Sequence, residues 1–489
     1  MSHAARTGPS VIDSLVQLWH QFWAIPHIRI WLSALWLAYL LGLGSYIVLQ
    51  KREPAATLSW LMGLATLPYV GFIVYHVFGP QKIERHRLRR NARHVRMDAS
   101  LGDGGGESSE LARLGLGLTG LPPSSAQDVR WLVDGAAKYE ALLADLAAAT
   151  RQVHMEYYIY DPDHSGTRLR DALVDCARRG VTVRVLLDAV GAKKVTRQFM
   201  QPLLDAGGEL AWFHPVKWGR FWKRPWLNMR THRKIVVIDG HIAYTGGMNI
   251  TDDQNEQVRA DAYRDLHMRL SGDIVRSLQL VFVEDWAYAT GRRDFIGDAA
   301  SALAPPSPGP ISAQVVVSGP DSGWEAIHRI HVSAIHAALR RVWLVTPYFV
   351  PGEAAMMALT SAAKAGLDVR LLVPKMSDSR LVTYAARSYF SELLDAGVRI
   401  YEYGPRMLHT KALVCDEDIA LVGSANFDHR SFRLNFEVQV LFRDTRLAGE
   451  LAELIQGEFA HAPRVVREGH RPVWDRLPEA YARLVSPLL

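Results

Sequence analysis

Two hydrophobic patterns divide this chain. Near the N-terminus the chain is mostly apolar and runs without a charge from Ile30 to Leu49 and again from Pro54 to Gly79. Each run reaches the roughly 20 residues that cross a hydrocarbon core. Only Lys51, Arg52 and Glu53 bring charge between them. The pattern predicts a two-helix transmembrane hairpin, with spans at about 30–49 and 57–78, inside an N-terminal segment 1–80. Two buried core helices are the alternative, but soluble cores rarely use two consecutive uncharged runs of this length.

Farther along, short apolar blocks alternate with helical periodicity. Val153–Ile159 reads as a strand, a helix follows near 166–179, and Gly180–Asp188 reads as the next strand. The later chain repeats this with Val342–Phe349, a helix near 352–365 and Gly366–Pro374. Each copy continues through a helix to a glycine break, Ala206-Gly207-Gly208 or Ala396-Gly397, and then to another strand. Alternating strands and helices predict an α/β fold with mixed or largely parallel sheets. Their repetition predicts duplicated domains, 127–295 and 311–489, related by a pseudo-twofold. A single active site is then expected at the interface. Residues 81–126 read as a basic juxtamembrane segment and a flexible linker, because 98–126 are rich in Gly, Ser and Pro. An Ala/Pro-rich break near 291–312 separates the two domains.

Composition adds bounds. The 489 residues are 49% apolar and 22% charged, with net charge +6. The two cysteines, Cys176 and Cys415, make neither a disulfide framework nor a metal cluster. The N-terminus lacks the single short apolar core of a cleaved signal peptide. After the hairpin, Lys82, Arg85, Arg87, Arg89, Arg90, Arg93 and Arg96 stand against the lone acid Glu84. The positive-inside rule places this end, and with two spans the N-terminus too, in the cytoplasm.

The chemistry lies in a pattern that occurs twice. His232-Arg233-Lys234 is followed by Asp239, and His409-Thr410-Lys411 by Asp416. Asn249 and Asn426 follow at equal distances from their histidines, each on a Gly-rich bend. Two imidazoles can serve as nucleophile and proton donor, while lysines and amides hold phosphoryl oxygens. A lysine beside each imidazole repels a metal cation and attracts a phosphate. The His and Lys positions, two apart ahead of apolar strands, are expected on one strand face. Each half also opens a later strand with a carboxylate, Asp265 or Glu437, suited to orienting an imidazole. Pseudo-twofold symmetry predicts crossed pairs, Glu437 with His232 and Asp265 with His409. Asp239 and Asp416, at the far ends of the motif strands, are expected to be structural.

The paired motifs resemble those of the phospholipase D superfamily, and the details narrow the likeness to membrane-anchored bacterial cardiolipin synthases. The residues concerned are Thr346-Pro347-Tyr348-Phe349, Thr245-Gly246-Gly247-Met248-Asn249-Ile250, Arg264-Asp265, Gly423-Ser424-Ala425-Asn426-Phe427-Asp428, and Arg430 through Glu437. In the hairpin they are Pro54, Trp60, Pro68, Gly71, Tyr75 and Phe78-Gly79. The likeness covers nearly the whole chain. It departs at Thr231, where the family usually has Asn, and at Thr251-Asp252-Asp253-Gln254, which replaces Gly-Asp-Glu-Tyr. Both departures bear on acceptor preference. The resemblance implies reversible phosphatidyl transfer between two phosphatidylglycerols through a phosphohistidine, without metal or cofactor. It assigns His232 as nucleophile, His409 as general acid and then base, and Lys234, Lys411, Asn249, Asn426 and Ser424 as supporting groups. Water or another alcohol could replace the acceptor lipid. The implied location is the bacterial inner membrane. Neither nucleic-acid cleavage nor a non-catalytic role suits two complete motifs on a membrane anchor.

One further stretch bears on the lipid surface. Lys217, Arg220, Lys223 and Arg224 interleave with Trp218, Phe221, Trp222 and Trp226, in an insertion that the second half lacks. Such a mixture suits an anionic headgroup layer. It would also suit nucleic acid, and the hairpin favours lipid. The bland alternative is a Trp-rich packed loop. No oligomeric state is assigned.

Overall fold

The computed structural model describes residues 11–49, 54–67, 70–72, 74–75, 79, 109–215, 228–292, 305, 307–467 and 472–486. The chain divides into two compact units, Met1–Pro80 and Gln81–Leu489.

In the first unit, helices span Val11–Trp23, Ile28–Leu49 and Pro54–Thr66. The 22-residue helix Ile28–Leu49 is long and apolar enough to cross a membrane. It leaves Ile30, Trp31, Leu35 and Leu41 exposed, as a helix facing lipid does. Ile47, Leu64 and Tyr75 form a small core with Tyr39, Leu43 and Trp60. One long apolar helix is therefore present among the described residues. Of the second expected span, residues 68–69, 73 and 76–78 lie outside them. The basic run from Lys82 to Arg96 lies outside them as well.

The second unit is built on two large sheets. The strands of the first half are β1 (Ser124–Ala126), β2 (Asp128–Val133), β3 (Gln152–Tyr157), β4 (Thr182–Asp188), β5 (Glu209–Phe213), β6 (Ile235–Ile238), β7 (Ile242–Gly246) and β8 (Leu266–Ser271). Those that follow are β9 (Ile311–Ser318), β10 (Arg341–Val345), β11 (Phe349–Val350), β12 (Asp368–Pro374), β13 (Arg399–Tyr403), β14 (Ala412–Cys415), β15 (Ile419–Gly423), β16 (Phe427–Asp428) and β17 (Glu437–Arg443). One sheet has the order β2-β8-β7-β6-β3-β4-β5, and the other β1-β9-β17-β15-β14-β10-β12-β13. The second repeats the first strand for strand, with β1 added at its edge. Both sheets are mixed: β3, β4 and β5 run parallel, as do β10, β12 and β13, while the remaining neighbours are antiparallel.

The short motif strands are apolar on both faces because both faces are covered. Ile235 and Val237 join Ala412 and Val414 in a core shared by the two sheets. The alternate residues Val236 and Ile238 point outward to Leu142, Leu169 and Leu173 of the first half's helices. Leu413 and Cys415 do the same toward Ile327, Ile330 and Leu359. The interface between the halves is therefore continuous hydrophobic core, and it holds the two motifs in fixed register.

The expected linker is corrected here. Residues Glu110–Thr119 form a helix with Ser109 capping its N-terminus and Gly120 in the left-handed conformation at its end. Leu111, Leu114 and Leu118 lie on one face and pack into the second half's core. β1 then pairs antiparallel with β9. Glycine richness signalled flexibility, but the leucine stripe prevails.

Candidate active site

Each histidine is placed by a single backbone bridge to the opposite half. Thr231 pairs with Phe436, and Leu408 with Arg264. The His232 amide donates to the Phe436 carbonyl at 2.8 Å, and the His409 amide to the Arg264 carbonyl at 2.7 Å. The next residue after each bridge partner is the carboxylate. His232 Nδ1 donates to Glu437 at 2.9 and 3.0 Å, and His409 Nδ1 lies 2.6 Å from Asp265 Oδ2. Carboxylates at Nδ1 leave each Nε2 for a substrate. Both imidazoles line one cavity of about 600 Å³.

His and Lys do stand together at one sheet end, with Lys411 Nζ 3.0 Å from His409 Nδ1, but just ahead of the strand and not on its face. His232 and Lys234 precede β6, because the backbone at His232 is engaged by the other half and the ladder opens only at Ile235. Lys234 Nζ folds back onto the His232 carbonyl at 2.7 Å. Lys411 Nζ does the same to the His409 carbonyl at 2.5 Å and approaches His409 Nδ1 at 3.0 Å. Both lysines are fully buried beneath the cavity rather than on its lining. Asn249 and Asn426 do line it, and Asn426 Oδ1 is buried with no hydrogen-bond partner among the described residues. Ser424 Oγ donates to Glu437 Oε2 at 2.5 Å, so it braces the carboxylate. The equivalent residue of the first half is Gly247, where a Cβ would stand 2.1 Å from Asp265 Oδ1.

Asp239 and Asp416 lie away from the cavity. Asp239 accepts from the amides of Thr150, Arg151 and Gln152, and Asp416 from those of Leu339, Arg340 and Arg341. Each ties the far end of its motif strand to the neighbouring strand.

Electrostatics separate the groups further. Burial drives His232 down to about 4, against the pull of Glu437, while Lys234 pushes the same way as burial. His409 is also lowered, by burial and by Lys411, with Asp265 opposing. Burial lowers Lys234 well below the usual lysine range and Lys411 to about 8. Burial raises the Glu437 carboxyl, but His232, Lys234 and Ser424 outweigh it and the net shift is downward. An anionic phosphodiester would favour the charged form of both lysines.

Other lining residues did not stand out in the sequence pattern. Tyr158 packs edge-on against His232 with ring centres 5.1 Å apart, and Tyr263 lies tilted against His409 at 5.8 Å. The two equivalent loops after β4 and β12 meet the cavity with opposite charge, Lys193 and Lys194 on one side and Asp378 on the other. Gln254 lines the cavity with its Nε2 3.0 Å from His409 Nδ1. The other departure from the family pattern, Thr231, is buried and donates to Glu156 at 2.5 Å, so it faces the scaffold and not a substrate. Lys138, from the helix Asp134–Ala148, donates to the Asn249 carbonyl at 2.7 Å and holds that bend. Among the described residues no three or more His, Cys, Asp or Glu side chains gather as a metal site. Lys217, Trp218, Arg220, Trp222, Lys223, Arg224 and Trp226 lie outside the described residues.

Comparison with known proteins settles the family. A model described as cardiolipin synthase, phospholipase D-like domain, matches residues 142–270 and again 332–461. The chain belongs to the cardiolipin synthase family. Membership makes it a phosphatidyltransferase. A second model, described as phospholipase D-nuclease N-terminal, matches residues 37–80, in line with a membrane-anchored member of this family. Cardiolipin synthase 2 of Bacillus anthracis is 39% identical, over 91% of this chain and 89% of that protein. The cardiolipin synthase of Geobacillus kaustophilus is 37% identical, over 98% of both. Among solved structures, phosphatidylserine synthase of Haemophilus influenzae matches with a TM-score of 0.59 at 16% identity. It covers 78% of this chain and 100% of that one, which shows a common fold.

Proposed function

We propose that this cardiolipin synthase-family chain transfers a phosphatidyl group between two phosphatidylglycerol molecules, through a covalent intermediate on His232. The Nε2 lone pair of His232 attacks phosphorus, and the bond to the glycerol oxygen breaks. His409 Nε2 gives that oxygen its proton, and glycerol leaves. A hydroxyl of a second phosphatidylglycerol then loses its proton to His409 and attacks phosphorus, and the bond to His232 breaks. The products are cardiolipin and glycerol, and the reaction is reversible because one phosphodiester replaces another. Asn249 and Asn426 hold nonbridging oxygens. Lys234 and Lys411 supply positive charge from beneath, each ammonium keeping donors beyond those spent on carbonyls.

The observation that carries this reading is the pair of crossed carboxylate–imidazole contacts in one cavity. They make the two histidines interdependent, as a two-step displacement requires. The depression of His232 by burial suits an unprotonated nucleophile. The test is purified protein in phosphatidylglycerol vesicles, with lipid products separated and glycerol release followed. Cardiolipin and glycerol in equal amounts support the transfer. Phosphatidic acid alone would make the chain a hydrolase of phospholipase D type.

The membrane arrangement belongs to the same proposal. The helix Ile28–Leu49 and the run Pro54–Gly79 form a hairpin in the bacterial inner membrane. The basic run from Lys82 to Arg96 holds the duplicated domains, 127–295 and 311–489, in the cytoplasm. The insertion carrying Lys217, Trp218, Arg220, Trp222, Lys223, Arg224 and Trp226 meets anionic headgroups.

A further inference from the structure

The helix Val473–Val485 is amphipathic in the reverse sense. It turns Glu479 and Ala482 inward, together with Ser486 just beyond its end, and leaves Trp474, Tyr481 and Leu484 exposed at 80%, 66% and 75%. Positions 474, 481 and 484 fall on one side of a helix, and 479, 482 and 486 on the other. Its inner side rests on the segment that follows the helix Arg380–Arg387. Ser486 Oγ lies 3.3 Å from Tyr389 Oη, and the Arg483 guanidinium sits 4.4 Å from the centre of the Tyr389 ring. Ala482, Ala385, Ala386 and Tyr389 share one core.

The helix Arg380–Arg387 shows the same habit. It buries Val382, Ala385 and Ala386 and exposes Leu381 and Tyr384. It also begins at the active site, since Ser379 and Val382 line the catalytic cavity. Exposed apolar side chains are ordinary when scattered. A large aromatic, a tyrosine and a leucine on the outer side of one helix, packed against a second such helix at a cavity rim, mark a docking surface.

We propose that this helix pair is a membrane-docking surface that seats the cavity mouth on a bilayer containing anionic phospholipid. The occupant follows from continuity: the surface adjoins the rim of a cavity whose proposed substrates are themselves bilayer lipids. The composition agrees, because Trp and Tyr favour the headgroup level. Arg380 and Arg476 are exposed on the same two helices, where they can meet phosphate. A lipid drawn upward along Leu381 and Tyr384 needs little exposure to water before its headgroup reaches the histidines. The proposal rests on the lipid substrate inferred above, but its test reads location separately from activity.

Full-length protein is reconstituted in phosphatidylglycerol-containing vesicles with an environment-sensitive fluorophore on Trp474→Cys. Leu339→Cys, 82% exposed and beside Asp416 at the far sheet end, serves as control. The native cysteines are buried. The expected result is blue-shifted emission at 474, quenched by spin-labelled lipid, and neither effect at 339. Trp474→Ser, Tyr481→Ser and Leu484→Ser combined should lower cardiolipin formation on vesicles by about five-fold or more. The rate on monomeric short-chain phosphatidylglycerol should be unchanged. A probe at 474 that stays in water overturns the proposal. So does a shift that follows protein density and not lipid, which makes the face a contact between copies. Equal loss on both substrates also overturns it, by making the helix merely structural. Failure of the wild-type protein to form cardiolipin would remove the functional reading while leaving the probe result to decide the surface.

Discussion

Thr231 and Phe436 meet in one parallel bridge between the two halves, one residue ahead of His232 and one ahead of Glu437. His232 and its carboxylate partner thus share a backbone register across the domain interface. Leu408 and Arg264 repeat the arrangement for His409 and Asp265. Disturbance of either bridge moves an imidazole and its carboxylate relative to each other.

The first prediction concerns the carboxylate. Glu437→Gln keeps the volume but removes the charge that fixes the His232 tautomer. Cardiolipin formation should fall by up to about 10⁴-fold, the loss seen when the orienting carboxylate of a catalytic triad is neutralised. Thermal unfolding followed by circular dichroism should show the fold intact. Near-normal turnover would remove Glu437 from the machinery.

The histidines should separate by trapping. Either changed to Ala abolishes turnover. His409→Ala alone should accumulate a phosphatidyl-protein from a substrate whose leaving group needs no proton, detected by intact-protein mass spectrometry. Accumulation on His232→Ala instead would reverse the two roles, and accumulation on neither would exclude the covalent route.

Gly247→Ala should be far more damaging than its single methyl implies. The added Cβ meets the Asp265 carboxylate, and an overpacked core typically loses about 1–3 kcal/mol. Because Asp265 must move, His409 loses its partner and activity should fall further than stability. Ser424→Ala in the other half creates no clash and leaves Glu437 without one donor, so it should cost much less activity. Comparison of rates and melting midpoints for the two variants checks this.

Stability should decline as pH falls from about 6.5 toward 4. His232 is held near 4 by burial, and His409 is lowered too. In that interval the unfolded chain binds protons that the folded chain refuses, so acid favours unfolding. The contribution is fully present above the ordinary histidine value near 6.5 and is lost as pH drops through the depressed one. Denaturation midpoints measured across this range should fall less steeply for His232→Gln. An unchanged slope would assign the acid sensitivity to other groups.

Replacing Trp218, Trp222 and Trp226 with Ala should weaken action on vesicles more than on dispersed short-chain lipid. Replacing Lys217, Arg220, Lys223 and Arg224 should reduce dependence on anionic lipid and on salt. Assays at low and moderate ionic strength distinguish the two sets, and no change in either would make the insertion structural.

The duplicated pattern of strand, helix and glycine break was legible because it repeats, and three of the four strands read from it lie within two residues of their place in the sheets, while Val342–Phe349 closes early, at Val345. The crossed carboxylate pairs were legible for the same reason, since twofold symmetry limits which strand ends meet. The position of the lysines was not. Their burial follows from the bridge that delays the start of β6, a long-range backbone contact without a local signature. Tyr158, Lys193 and Asp378 were equally hidden, because loop residues acquire meaning only when two halves face each other. The helix Glu110–Thr119 was obscured by the glycines around it, although its leucines had the right spacing.

β1 has a consequence for the order in which the molecule can be completed. The segment Ser109–Ala126 precedes the first half in the chain yet finishes the sheet of the second, so the polypeptide enters that sheet, leaves it for a whole domain and returns. During synthesis its edge strand and helix emerge long before β9 exists to receive them. A cut at the Ala/Pro-rich break near 291–312 would not yield two independent halves. The upstream fragment would carry away a strand and a helix that the downstream fragment requires, and the leucines of that helix would be left facing water. The repeat is thus laced together by the segment that precedes it, which belongs to the first half by sequence and to the second by contact.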